Sequence, residues 1–580
     1  MRRAKIVCTL GPASDSRERI RSLAEAGMSV ARLNASHGSP EDRRAIVERV
    51  RSVDAEMDAP LAVMHDLPGP EVRTAPLSEP IRVDTGSTVE FFEGETATPD
   101  RIGLSFALDG VQPGDAVLLD DGRIETRVTS VEADHVVATV ESGGDLGGRK
   151  GVNVPGVDLG LPVITDSDAT ELDVAADVGV DFVAASFVRN GDDIYEISSA
   201  LEARDADVPV IAKIERADAV ENLDSIIEAA YGVMVARGDL GVECPLEEVP
   251  MVQKRVIRRC HQAGVPVITA TEMLDSMVHS RRPTRAEASD VANAVLDGTD
   301  AVMLSGETAI GDHPVRVVET MDRIVRDVEA SEEYAEALER QVPSVDDTRT
   351  DALARSGRYL ARDVNATAIV AATESGYTAR KAAKYRPAIP IVAATTDDRV
   401  KRQLALSWGI VPKSTSHVSG ADAIIQTAVQ TALDTAAAAT GDTVVVMSGM
   451  MTELDGVDTA NTLKVHVASK RLTAGRSVVE GLVAGPVHRT VTGDLTDVPE
   501  GAILHVEEGF DADFDGDTEK LAGIIDANDG MTSYVAIMAR ELGIPMICGA
   551  EFDDDFAEGT AVTLDAERGV VYEGVVRDRN

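Results

Sequence analysis

From Lys5 onward the chain alternates short β-branched runs with longer stretches of helical spacing, and most apolar runs stop abruptly in polar or charged residues. The segment 209–241 shows this most clearly. Apolar 209–212 empties into Lys213 and Glu215, a helix-like stretch follows, and apolar 231–236 empties into Arg237 and Asp239. Residues i and i+2 of an extended strand share a face, so Lys213 and Glu215 aim a cation and an anion at one spot. The same rhythm predicts strands over 5–10, 29–33, 61–64, 182–185, 209–213, 232–236, 266–271 and 301–305. Between them it predicts helices over 16–27, 41–57, 169–178, 192–204, 217–229, 253–264 and 286–296.

Eight βα units in about the length of one barrel predict an α/β protein built on a (β/α)8 TIM barrel. A doubly wound open sheet is the alternative, since periodicity alone does not show closure. The rhythm breaks between about 71 and 153, where short alternating strands with Gly/Asp turns replace it, as in 116–119 before Asp120-Asp-Gly122. That predicts a small β lid (71–154) inserted after the third strand of a barrel formed by 1–70 and 155–341. A long helix over 314–340 and a polar linker follow. Residues 350–470 then read as a second α/β domain, with strands over 368–372, 389–394 and 443–447. The last segment, 475–580, has β-like runs at 478–487 and 523–525, a Gly-Met-Thr-Ser turn, and a helix over 534–542.

Strands two to eight all end in polar side chains: Arg32 and Asn34, Asp66, Ser186, Lys213 and Glu215, Arg237 and Asp239, Thr271, then Ser305 and Glu307. One such residue alone reads as a cap or a surface pair. On a barrel, consecutive strand ends converge on one mouth and read as one site. In the later domain, Thr373-Glu-Ser-Gly-Tyr-Thr378 lies between a strand and a helix start. Hydroxyls and backbone amides there suit a phosphate, and plain helix capping accounts for the same spacing.

Composition narrows the partners. The 580 residues carry 100 Asp+Glu against 56 Lys+Arg, a net charge of −44, and only 11 of the cations are lysines. The acids are spread between apolar runs, which excludes a disordered acidic tail and makes nucleic acid and anionic membranes poor partners. Such a charge suits a salt-rich cytoplasm, where self-repulsion is screened. Cys8, Cys244, Cys260 and Cys548 stand far apart without a Cys-x-x-Cys pair, so buried free thiols are expected. The apolar run near the amino terminus is too short for a signal core, and none reaches the roughly 20 residues of a membrane span. A cytoplasmic protein is expected.

The chain resembles the pyruvate kinase family. The matching text is KIVCTLGPAS (5–14), ARLNASHG (31–38), GPEVRT (69–74), KGVNVPG (150–156), IAKIE (211–215), MVARGDLGVE (234–243), ATEMLDSM (270–277) and the long run from 283 to 309 ending SGETA. The resemblance implies an interrupted barrel with a lid, a regulatory α/β domain and a homotetramer. The implied reaction is phosphoryl transfer from phosphoenolpyruvate to ADP, giving pyruvate and ATP, the last step of glycolysis. Phosphoryl transfer is chiefly positioning and charge stabilisation. By resemblance Lys213 stabilises the transferring group, Arg32 binds the substrate phosphate, and Glu215 and Asp239 hold Mg²⁺ (or Mn²⁺). The amides of Gly238 and Asp239 receive the substrate carboxylate, and Thr271 helps protonate the methylene. Arg73 and Lys150 reach the nucleotide from the lid. Asn34, Ser36, Asp66 and the carbonyl of Leu67 hold K⁺, and Thr373, Ser375, Gly376 and Thr378 clasp a phosphorylated effector.

The departures from the family pattern are local. The family's common Asp-Thr-Lys-Gly-Pro-Glu reads Asp66-Leu-Pro-Gly-Pro-Glu71, Ala35 stands for a phenylalanine and Glu272 for a glutamine. Glu71 matches the residue associated with K⁺ dependence. The carboxyl-terminal segment resembles the swivelling phosphohistidine domain of phosphoenolpyruvate-using enzymes through Gly530-Met-Thr-Ser-Tyr-Val-Ala-Ile537 and Arg540-Glu-Leu-Gly-Ile-Pro545, with Tyr534 in place of the histidine. A phenol does not substitute for imidazole as a labile phosphoryl carrier, so a structural or regulatory domain is expected. Two other readings share the barrel: a metal-dependent lyase, and a non-catalytic sensor that would have lost Lys213, Arg32 or a metal carboxylate.

Overall fold

The barrel strands are mostly apolar because both faces of each strand are buried. Inward, Val7, Val30, Met64, Phe182, Ile211, Met234 and Ile268 pack on one another. Outward, Ile6, Ala31, Val63, Val183, Ala212, Val233 and Val267 join the core that includes helix residues such as Leu23, Val50 and Ile257. The computed structural model describes residues 2–418, 420–449, 460–552 and 558–576. Its barrel strands are β1 (Lys5–Leu10), β2 (Val30–Asn34), β3 (Ala62–Asp66), β4 (Phe182–Ala185), β5 (Val210–Ile214), β6 (Gly232–Ala236), β7 (Val267–Ala270) and β8 (Ala301–Leu304).

All neighbouring barrel pairs are parallel, and β1 pairs with β2 (Val7 opposite Val30) and with β8 (Lys5 opposite Ala301), so the sheet closes. The open-sheet alternative is excluded. Helix starts are set locally: Ser39, Thr165 and Thr284 each form a capping box with the acid three residues on.

Contact density divides the chain into two units. The first holds residues 1–346, 383–386 and 397–412, and the second the remainder. Within the first, the lid strands from Val72 to Asn153 make a largely antiparallel sheet over a core containing Val83, Phe91, Ile102, Leu119 and Val140. A tight lid turn places Asp120, Asp121 and Gly122 in succession at φ 53°, 56° and 79°.

In the second unit, Ile391–Thr395, Ala368–Ala372 and Thr443–Ser448 are parallel, and Thr462–Val467 runs antiparallel to the last. Further on, Leu482–Thr490, Ala502–Val506, Leu521–Asp526 and Met546–Cys548 form a parallel set flanked by antiparallel strands. The helix Tyr534–Leu542 starts from an N-cap at Ser533 and ends on left-handed Gly543. No helix of the described residues is long and apolar enough to cross a membrane.

Three expected elements are interrupted. The long helix over 314–340 is two, Pro314–Glu329 and Glu332–Arg340, because the Ser331 hydroxyl accepts from Tyr334 N and restarts the helix. The helix over 217–229 divides at Asn222 into Ala217–Glu221 and Leu223–Ala229. The β run over 478–487 divides at Gly481, whose φ of 154° and approach to Pro545 leave no room for a side chain.

His505, on Ala502–Val506, is buried with neither ring nitrogen hydrogen-bonded, and its ring meets Phe552 edge-on at 4.8 Å. Burial, and then the Arg489 charge, lower its pKa to about 4. The unfolded state therefore takes up a proton as pH falls below about 6.5 while the folded state does not, so this group's contribution to stability is lost on acidification. The expected outcome is that His505→Leu has its most favourable effect on thermal midpoint, relative to wild type, at pH 4.5 rather than pH 7. A difference between the two proteins that does not change with pH would contradict it.

Candidate active site

The inward positions that carry apolar packing lower in the barrel carry charge at its carboxyl end: Val30 gives way to Arg32, Met64 to Asp66, and Ile211 to Lys213 and then Glu215. These four side chains meet. Asp66 receives Arg32 Nε on Oδ2 at 2.5 Å, and its Oδ1 faces Lys213 Nζ at 3.3 Å. Lys213 also pairs with Glu215 Oε1 at 2.7 Å and donates to Ser186 Oγ at 2.7 Å. Arg32 Nη1 donates to Thr9 Oγ1 at 2.9 Å. Burial would raise the Asp66 pKa, but Arg32 and then Lys213 hold it below the usual carboxylate range. Burial would likewise deprotonate Lys213, and Asp66 followed by Glu215 more than reverse this, so the ammonium stays charged.

The anions are less balanced. Glu215, with its side chain 1% exposed, accepts from Phe187 N at 2.7 Å. Burial pushes its pKa up to about 7, with Lys213 opposing and Asp239 adding to the rise. Asp239, on the helix Arg237–Glu243 that leaves β6, is raised by burial and, against Lys213, by Glu71 and Asp121. One buried and one half-buried carboxylate, both held above the usual range, suit a hard divalent cation. Among the described residues no group of three or more His, Cys, Asp or Glu is arranged to hold a metal. Mg²⁺ takes one or two protein carboxylates when substrate oxygens and water complete its octahedron, so Glu215 and Asp239 fit that ion without a cage.

Thr271 and Glu272, just past β7, both have left-handed backbones, with φ of 66° and 54°. Such conformations cost on the order of 1–3 kcal/mol each and persist where the surroundings enforce them. The Thr271 hydroxyl donates to Ala270 O at 2.7 Å and accepts from Gly238 N at 2.8 Å. The Gly238 amide, expected to receive a substrate carboxylate, is thus engaged by Thr271.

The oxygen set expected for K⁺ is gathered from neighbouring strand ends, since Asn34 lies opposite Asp66 in the β2/β3 register. Asn34 Oδ1 accepts from Ser36 N at 3.1 Å, and Leu67 O accepts from Ser186 Oγ at 2.7 Å. Each oxygen keeps a second lone pair, and an all-oxygen set suits a hard monovalent cation. The altered 67–68 segment is pinned: Gly69 N donates to Asp168 Oδ1 at 2.9 Å, and Gly69 has φ +71°, where a Cβ would lie 2.7 Å from Ser186 Cβ.

From the lid, Arg73 pairs with Glu71 at 2.6 Å and Lys150 with Asp120 at 2.8 Å, both half-exposed. Arg73 lies opposite Gly151 in the lid sheet, one residue along the chain from Lys150. Lid and barrel also touch through Asn153 Nδ2 to Glu243 Oε1 at 3.3 Å, and Arg216 Nη2 holds Val157 O, just past the lid, at 3.3 Å.

Reading by strand ends missed several partners: Thr9 and the Phe187 amide were not singled out, and Ser186 was noted only by position. A hydroxyl directly after β4 was the one signal available.

Residues 1–318 match the pyruvate kinase barrel domain, 351–466 the pyruvate kinase alpha/beta domain, and 498–569 the mobile domain of PEP-utilising enzymes. The chain is 42% identical over 584 residues to pyruvate kinase of Bacillus licheniformis and 43% over 583 residues to that of Geobacillus stearothermophilus, covering 99% of both chains in each case. The chain belongs to the pyruvate kinase family. In its alpha/beta domain, Thr373 follows Ala368–Ala372, Gly376 has φ 78°, and a helix starts at Tyr377. The buried Thr373 hydroxyl has no hydrogen-bond partner among the described residues. In the PEP-utilising domain, Tyr534 is half-exposed at the first turn of its helix, with its ring 6.1 Å from that of Phe514.

Ser186 joins Lys213 to the Leu67 carbonyl. Ser186→Ala leaves both without that partner, and an unfolding free energy lower by about 1–3 kcal/mol is expected. Denaturant midpoints at constant slope check it, and an unmoved midpoint would show that the hydroxyl is not needed there.

Proposed function

We propose that the protein is a pyruvate kinase, transferring the phosphoryl group of phosphoenolpyruvate to ADP to give pyruvate and ATP in the last step of glycolysis. The observation that carries this is the buried Arg32–Asp66–Lys213–Glu215 cluster beside Asp239, in a chain of that family. Two cations held by one buried carboxylate are prepositioned for a phosphate, and such preorganisation stabilises charge as it develops. Arg32 binds the substrate phosphate, and Lys213 Nζ follows the phosphoryl oxygens as they pass to the nucleotide. Arg73 and Lys150 hold the nucleotide phosphates. Amides of Gly238 and Asp239 orient the substrate carboxylate, with Thr271 Oγ1 as competing acceptor for the first. Thr271 directs a proton to the methylene carbon through water. Held by Glu215 and Asp239, Mg²⁺ (or Mn²⁺) supplies Lewis-acid polarisation of the substrate oxygens. Asn34, Ser36, Asp66 and the Leu67 carbonyl would hold K⁺, which would supply a further positive charge to the site.

The same reading includes a homotetramer in the cytoplasm, a phosphorylated effector at Thr373, Ser375, Gly376 and Thr378, and a PEP-utilising domain that is structural or regulatory because Tyr534 stands at the carrier position. The charge of −44 makes high salt the working condition.

In a coupled assay with phosphoenolpyruvate, ADP, Mg²⁺ and molar KCl, wild type forms pyruvate. Lys213→Met is expected to lose about 10³-fold or more in turnover, the scale of a transition-state cation in phosphoryl transfer. No product from folded wild type would end the reading. Replacing KCl by a bulky-cation chloride at equal ionic strength is expected to lower turnover by about tenfold or more. Full activity in that buffer would remove K⁺ from the mechanism.

A further inference from the structure

Arg237 has no part in the chemistry described so far, yet it makes more polar contacts than any other side chain around the mouth that is described here. It is the first residue of the helix leaving β6, and its side chain is 13% exposed. Its Nε donates to Ala270 O at 3.1 Å and its Nη2 to Thr271 O at 2.7 Å, with Met273 Sδ 2.9 Å from the same nitrogen. On the far side its Nη1 is anchored by Asp290 at 2.8 Å and by Gln253 Oε1 at 3.4 Å. One planar fork therefore spans two consecutive carbonyls of the turn in which Thr271 and Glu272 are both left-handed. Ala270 O also receives the Thr271 hydroxyl, so the guanidinium and the hydroxyl share an acceptor and the position of one sets the other.

We infer that Arg237 is a positioning residue for the proton-delivery half of the reaction, acting through Thr271; this rests on the pyruvate kinase reading above. After phosphoryl transfer the enolate of pyruvate remains. A water hydrogen-bonded to Thr271 Oγ1 gives a proton to C3. The C2–C3 π pair becomes the new C–H bond, a lone pair on the enolate oxygen closes the carbonyl, and solvent reprotonates the hydroxide. This step needs Thr271 Oγ1 at a defined place. Phosphoryl transfer depends on Arg32 and Lys213, which Arg237 does not touch.

The test uses the full chain with Arg237→Lys, which keeps the charge but does not span two carbonyls, and Asp290→Asn, which loosens the fork from behind. Two readouts separate the half-reactions. ATP formation is followed by rapid quench. Exchange of pyruvate methyl protons with D₂O is followed by NMR with Mg²⁺, KCl and inorganic phosphate. For Arg237→Lys the expected result is an exchange rate lower by about tenfold or more, within the range of lost proton-transfer assistance. The quenched ATP burst and the KM for phosphoenolpyruvate are expected to change by less than about threefold. Asp290→Asn, the fallback where the lysine variant does not fold, should slow exchange by about threefold with the same unchanged burst. Exchange within about twofold of wild type in a folded variant overturns the inference, and so does a parallel fall in exchange, burst and apparent substrate affinity, which marks general loss of structure. A wild type that forms no ATP overturns the parent reading and this inference together, whereas an active wild type with intact exchange in both variants overturns this inference alone.

Discussion

The site depends on one buried carboxylate. Asp66 lies between Arg32 and Lys213, and its side chain is 1% exposed. Two cations brought together inside a barrel repel strongly at low dielectric, and each alone would carry a desolvation penalty of several kcal/mol. With Asp66 between them they form a held pair. Removing the carboxylate would leave two uncompensated charges, so Asp66 matters to both stability and function. Its place at the end of β3 is fixed by the closed register that sets Asn34 opposite Asp66 and Asp66 opposite Ala184.

Around that neutralised centre the remaining groups carry excess negative charge. Burial raises the proton affinity of Glu215, Asp239 and Glu71, and neighbouring carboxylates add to it: Asp239 acts on Glu215, Glu71 and Asp121 on Asp239, and Glu215 and Asp121 on Glu71. This imbalance is what a divalent cation and two anionic substrates would use, since the protein supplies fixed anions to the metal and fixed cations to the phosphates. Where the lid meets the barrel, Asn153 donates to Glu243 on the helix that carries Asp239, and Arg216, next to Glu215, holds Val157 O just past the lid.

The second unit shows what a fold retains when its chemistry changes. The PEP-utilising match spans 498–569, and the helix still begins after Ser533 with Tyr534 at the first turn. The cap and the parallel strands depend on backbone geometry and apolar packing, which a tyrosine does not disturb. Labile phosphoryl transfer depends on an imidazole, and the residue after the Thr532-Ser533 pair is the phenol Tyr534.

Much of the barrel was legible because its signals are local. Strand ends announce themselves where a β-branched run meets Lys213 or Asp66, helix starts where Thr165 or Thr284 precede an acid at the right spacing, and the motif text named the family. Long-range hydrogen bonds were not legible. Ser186 reaches Leu67 O across 119 positions and Arg237 reaches Thr271 O across 34, and no local spacing encodes either contact. The restart at Ser331 was missed because apolar periodicity continued across it, while a single hydroxyl cap decided the backbone. The sequence by itself determined the period of each element and which residue types stand at its end, since both are properties of neighbours along the chain. Only the tertiary structure decided that the sheet closes, that Asp66 stands between two cations, and that Gly238 N is bound to Thr271, since these are relations between residues that meet only when the barrel is formed.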